Sequence, residues 1–115
     1  MARLLAVTLL ALLAAAPTEP AKIEALIRSV AELRDAKFVR NGVEYDAPAA
    51  ADHLRTKLRG AGSRVKTADD FIRLCASSSS MTGKPYEIRW ADGRVTTSES
   101  FLRARLAELE KPATQ

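Results

Sequence analysis

The sequence holds one cysteine, Cys75, and one histidine, His53. A lone cysteine excludes an intrachain disulfide framework, a Cys-based zinc site and a CxxC redox pair. A lone histidine excludes a His-pair metal centre, so neither a bound metal nor a cofactor is expected. Aromatic residues make up only 5% of the chain, too few for the stacking platform that binds single-stranded nucleic acid. No apolar run reaches the roughly 20 residues that a bilayer-spanning helix needs, so no stable membrane span is expected. Acidic and basic residues are nearly balanced: Lys+Arg 18 against Asp+Glu 14 leaves a net charge of +4, and the excess is scattered. At 115 residues the chain has no room for a nucleotide-binding α/β domain beside a substrate domain. What remains, 47% apolar and 28% charged residues, is ordinary globular composition.

The N-terminus reads as an address label. Arg3 precedes an apolar run from Leu4 to Ala16 that contains no acid, the pattern of a secretory signal peptide. Residues 1–16 are assigned to that signal and residues 17–115 to a single small α+β domain. Ala14 and Ala16 fit the small-residue cleavage rule, although Pro17 directly after the cut is unfavourable. The mature protein is expected to be periplasmic or secreted.

Beyond the run, Thr18 is a candidate N-cap with Pro20 in the first turn, and Ile23, Leu26, Ile27, Val30 and Leu33 repeat at helical spacing. The period then changes. Lys37–Arg40 and Val43–Asp46 flank Asn41-Gly42, the dipeptide best suited to a two-residue hairpin turn, where both residues take positive φ. That turn sets the register: Arg40 faces Val43, Val39 faces Glu44, Phe38 faces Tyr45 and Lys37 faces Asp46. Phe38, Tyr45, Val43 and Arg40 share the face expected to be buried. Pro48 opens a second helix with Ala50, Ala51, Leu54, Leu58 and Ala61 on its stripe, ended by Gly60 and Gly62. Thr67 and Asp70 form a capping box for a third helix that buries Ala68, Phe71, Leu74 and Cys75 and stops in the run Ser77–Ser80. Tyr86, Ile88 and Trp90 alternate with charged residues as a strand does, and Asp92-Gly93 signals a second hairpin. Thr96 and Glu99 are placed as the capping box of a last helix carrying Phe101, Leu102, Leu106 and Leu109. The expected architecture is α+β, about four helices with two short β-hairpins forming a small antiparallel sheet.

Four stretches, Phe38-Val-Arg-Asn-Gly-x-x-Tyr45, Ala51-x-His-Leu-Arg-x-Lys-Leu58, Thr67-Ala-x-x-Phe-Ile72 and Ala76-Ser-x-Ser-Ser-x-Thr-Gly-x-Pro-Tyr86, resemble the YfeK-like family of small secreted bacterial proteins, which carry a domain of unknown function. The resemblance implies an exported, periplasmic protein. It implies no activity and no catalytic or ligand-binding residue.

No catalytic group is assembled in the sequence. The loop Ser80–Lys84 lacks the glycine and the Ser/Thr of a phosphate loop, since Ser78 and Pro85 stand in those places. Polar residues nevertheless sit against the core in three places: Arg40 and Asn41 at the first turn, His53 and Lys57 on the edge of the second helix, and Ser78, Ser80, Thr82 and Lys84 in the serine-rich loop. If these converge they form a net-positive recess suited to a phosphate or carboxylate. Two functions follow. The first is a non-enzymatic binding or interaction module of the bacterial cell envelope whose partner carries an anionic group. The alternative is a small periplasmic hydrolase or transferase using His53 with a loop serine. The contact between His53 and Ser77–Ser80 or Thr82 separates them. No nucleic acid partner is expected for an exported chain.

Overall fold

The computed structural model describes residues 16–112, so the expected signal segment lies outside the described residues apart from Ala16. Helix α1 (Glu19–Ala31) starts at Thr18, whose side chain accepts a hydrogen bond from the Ala21 amide, and buries Ile23, Leu26, Ile27 and Val30. Strands β1 (Lys37–Arg40) and β2 (Val43–Tyr45) close on Asn41 and Gly42 with φ of 51° and 77°. The pairs Phe38–Tyr45, Val39–Glu44 and Arg40–Val43 follow the expected register. The fourth expected pair does not form, because Asp46 leaves the ladder and caps helix α2 (Ala47–Ala61) by accepting from the Ala49 amide. Gly62 ends α2 at φ 53°.

Helix α3 (Ala68–Phe71) begins with the full Thr67/Asp70 capping box, but it does not continue as a regular helix. Residues Ile72–Ala76 widen into a π-turn, and the Ser77 hydroxyl donates to the Ile72 carbonyl at 2.6 Å. Ile72 and Ala76 join Ala68, Phe71 and Cys75 in the core, the ordinary i, i+3, i+4, i+7, i+8 spacing of a helical stripe, whereas Leu74, expected there, falls off that stripe and is only half-buried. Strand β3 (Glu87–Arg89) turns into β4 (Val95–Thr97) through Trp90–Arg94, whose end residues pair and leave a three-residue loop at 91–93. The Trp90 amide donates to the Arg94 carbonyl across this loop, and Gly93 alone takes positive φ there. The arrangement is thus a bulge-type turn rather than a two-residue one. Helix α4 (Ser98–Leu109) is capped by Thr97, one residue after the expected Thr96. Thr96 faces inward, and its hydroxyl accepts from the Trp90 indole at 2.9 Å.

The strands form one antiparallel sheet in the order β2-β1-β3-β4. The two hairpins thus join through β1 and β3, which pair Phe38 with Ile88. Tyr45, Phe38, Ile88 and Thr96 line up across the inner face. Helix α2 packs on β1 and α4 on β4, while α1 packs against both helices. Leu26, Ile27, Phe71, Ile72, Ile88 and Leu102 are completely buried at the centre. Each such side chain contributes about 1.5–3 kcal/mol relative to an exposed position. This core is the α+β fold expected, with a four-stranded sheet and four helices. Among the described residues no helix is long and apolar enough to cross a membrane.

Candidate functional site

Arg40 is the last residue of β1 and points to the inner face of the sheet, two places beyond Phe38. At that end of the hairpin the apolar core runs out. Val43, opposite Arg40, is 53% exposed although it lies on the face expected to be buried. The edge of α2 fills the gap. His53 and Lys57 stand four residues apart, one turn of helix, and so project side by side. Two phenols complete the ring: Tyr45 closes β2, and Tyr86 immediately precedes β3.

These five side chains form one hydrogen-bonded cluster. Arg40 Nη2 donates to Tyr45 Oη at 2.9 Å, and the guanidinium lies 5.0 Å from the centre of that ring. Arg40 Nη1 is 3.2 Å from His53 Nδ1 and 3.3 Å from His53 Nε2. Nearly equal distances set the guanidinium across the imidazole rather than on a single lone pair. Tyr86 Oη is 3.2 Å from His53 Nε2 and accepts from Lys57 Nζ at 2.9 Å. Lys57 also donates to the Ser78 carbonyl at 3.0 Å. Phenols packed against a core need a polar partner, and both the buried Tyr86 and the half-buried Tyr45 have one.

A second cluster ties the first turn to the serine loop. Asn41 Nδ2 donates to Ser79 Oγ at 3.1 Å, and Thr82 Oγ1 donates to Asn41 Oδ1 at 2.6 Å. Ser79, only 6% exposed, also accepts from the Met81 and Thr82 amides. The Ser79 amide donates to the Lys84 carbonyl, the Gly83 amide to the Ser79 carbonyl, and the Tyr86 amide to the Ser77 carbonyl. The loop is therefore a closed hairpin, and Asn41 reaches into it with both ends of its amide.

Between the clusters lies an open cleft of about 430 Å³, lined by Arg40, Asn41, Val43, Tyr45, His53, Lys57, Ser79, Ser80, Met81 and Tyr86. No carboxylate lines it. Among the described residues neither Arg40 nor Lys57 forms an ion pair. The His53 pKa is held below its usual value, first by burial and then by repulsion from Arg40 and Lys57. The cleft is thus a patch of fixed positive charge with a neutral imidazole in its wall. No group of three or more His, Cys, Asp or Glu side chains suited to a metal ion occurs among the described residues.

The fold brings together most of the residues that the sequence singles out. Arg40, Asn41, His53, Lys57 and Ser80 line the cleft. Ser78 contributes its carbonyl, which holds Lys57, and Thr82 stands behind the lining as the partner of Asn41. Lys84 is exposed and lines no part of the cleft. Ser79, Tyr45 and Tyr86 belong to the site without having been singled out. For the tyrosines the available signal was chemical: phenols stand at two inward-facing positions, one ending β2 and one just before β3, where phenylalanine would pack as well. His53 bonds Arg40 and Tyr86, and no hydroxyl of Ser77–Ser80 or Thr82 is its partner among the described residues.

The model of a protein family described as Family of unknown function (DUF5329) matches residues 17–110, and the chain belongs to that family. The Uncharacterized protein YfeK of Salmonella typhimurium (strain LT2) is 47% identical over 68 residues, which make up 59% of this chain and 57% of that protein. The chain accordingly spans little more than half the length of this curated relative. No solved structure matches it. The YfeK-like resemblance of the four sequence stretches is borne out.

Proposed function

We propose that this member of a family of unknown function is an exported, non-enzymatic binding module that captures an anionic group in the cleft between β1, α2 and the serine loop. One observation carries the reading: two cationic side chains and a histidine converge on a cleft whose lining holds no carboxylate. Several arginines and lysines elsewhere in the fold meet acids, as Arg55 meets Glu24 and Lys22 meets Glu19 and Glu110. Arg40 and Lys57 instead lean on phenols and a carbonyl, which orient them and leave their charge uncompensated. Both retain N–H groups for an incoming oxyanion. The partner is an envelope component or protein that carries the anion. Export rests on the Arg3 and Leu4–Ala16 pattern, and the family match begins at the next residue, Pro17.

Calorimetric titration with inorganic phosphate at low ionic strength tests the binding. We expect weak, saturable binding that fades as salt shortens the screening length to about 8 Å. Arg40→Gln and Lys57→Gln should each weaken it at least fivefold, and Lys84→Ala should leave it near the parent value. Absence of saturation, or equal loss with Lys84→Ala, removes the support for this cleft. Intact mass of the protein recovered from a bacterial periplasm tests export: loss of the segment up to about Ala16 is expected, and a product retaining Met1 refutes it. The catalytic alternative using His53 and a loop serine has no supporting contact, because the hydrogen bonds of His53 go to Arg40 and Tyr86.

A further inference from the structure

Beside the charged cleft lies a second, smaller space of about 150 Å³ between the first hairpin and α2. Its own walls are Phe38, Val39, Ala49, Ala50, Leu54 and Ser98, so Ser98 is the sole polar residue among them. Arg40, Tyr45, His53 and Tyr86 line both spaces. The apolar pocket and the cationic cleft therefore meet at a common ring of polar atoms. A dry pocket of this size holds a group as large as benzene.

We infer that the ligand is an anionic amphiphile: a carboxylate or phosphate ester held at Arg40 and Lys57, bearing an apolar group of about six carbons that enters the pocket under the hairpin. This rests on the anion-binding reading and specifies its ligand class. Three features select an amphiphile over a simple anion. The pocket is lined by small side chains at Ala49 and Ala50, where α2 could have carried larger ones and closed it. Its lining includes the same Arg40 that would hold the anion, so the head and tail sites adjoin. The apolar wall and the positive rim are also complementary in kind to the two ends of such a molecule. A short free acid and the head of a membrane lipid share this chemistry.

A homologous series separates the possibilities. Ethyl, butyl and hexyl phosphate are titrated into the full mature protein alongside inorganic phosphate. Each methylene taken out of water tightens binding about fourfold at most. After ordering costs we expect hexyl phosphate to bind roughly tenfold or more tightly than inorganic phosphate. Ala50→Leu, at a half-buried position that makes no side-chain hydrogen bond, should fill the pocket. It should abolish the chain-length gain while phosphate binding and the melting temperature persist. Binding of all four anions with equal affinity overturns the amphiphile and leaves the anion site standing. Failure of every anion to bind overturns both. Sedimentation with vesicles of anionic phospholipid identifies the source: co-sedimentation lost in Ala50→Leu assigns a lipid, and binding of hexyl phosphate without co-sedimentation assigns a free amphiphile.

Discussion

Tyr86→Phe removes a single oxygen from the centre of the site and tests whether the cluster is a connected structure. The ring remains, and with it the edge-on contact to His53 and the approach of Lys57 Nζ at 4.9 Å from the ring centre. What is lost is the acceptor for Lys57 at 2.9 Å and the polar neighbour of His53 Nε2 at 3.2 Å. A hydrogen bond to a charged group contributes about 1.5–3 kcal/mol. Lys57 keeps its bond to the Ser78 carbonyl and faces an open cleft where water can replace the phenol. The expected cost therefore straddles the lower end of that range, about 1–2 kcal/mol, or a fall in melting temperature of roughly 4–15 °C for a domain of this size. Urea denaturation at pH 7.5, followed by Trp90 fluorescence, measures it. The companion cycle with Lys57→Met should show a coupling of at least about 0.5 kcal/mol, since the two residues touch. A loss below about 0.3 kcal/mol together with an additive double variant would refute the reasoning, and the phenol would then be a mere filler.

Two further outcomes follow. His53 is faced by Arg40 from β1, Tyr45 from β2, Lys57 from its own helix and Tyr86 beside β3, and its pKa in the folded protein lies below the ordinary value of 6.5. The unfolded chain therefore takes up the proton first as pH falls. Stability should be at its full value above about pH 6.5, decline below it, and level off once the folded-state pKa is passed; a denaturation series in which His53→Gln declines as steeply as the parent contradicts this. Cys75 is 1% exposed and burial pushes its thiol pKa up. Labelling by a thiol reagent should proceed only at the rate of unfolding, and Cys75→Asp should cost about 3 kcal/mol or more by burying an unpaired charge; fast labelling of the native protein contradicts it.

Much of the fold was legible because it is specified over short stretches. The spacing of Ile23, Leu26, Ile27 and Val30 dictates one buried helix face, and Asn41-Gly42 dictates a two-residue turn and with it the pairing of three residues on each strand. Thr18 and the Thr67/Asp70 box cap the helices they precede. These are interactions among residues within a few positions of one another, and they act before the chain has any tertiary contacts. The misplacements are equally instructive. Thr96 and Thr97 are chemically equivalent caps, and only the pairing of Ile88 with Thr96 in the sheet leaves Thr97 to cap α4. The π-turn at Ile72–Ala76 has no local signature in the sequence. The core positions Ala68, Phe71, Ile72, Cys75 and Ala76 nevertheless keep the ordinary helical spacing, so Leu74, assigned to that stripe, was the misplaced residue.

By itself the sequence determined which residues were polar where an apolar one was expected: Arg40 on an inward strand face, His53 and Lys57 at a stripe edge, hydroxyls where a helix stops. Tertiary structure alone decided that the first hairpin pairs with the second through β1 and β3. That long-range pairing carries Tyr86 to His53 and Lys57, brings Ser79 under Asn41, and leaves Lys84 outside the cleft. The apolar pocket under Phe38 and Ala50 belongs to the same decision. No short stretch encodes it, because a cavity is the space that remains after separate elements have packed, and its size depends on the distance between them rather than on the residues of either.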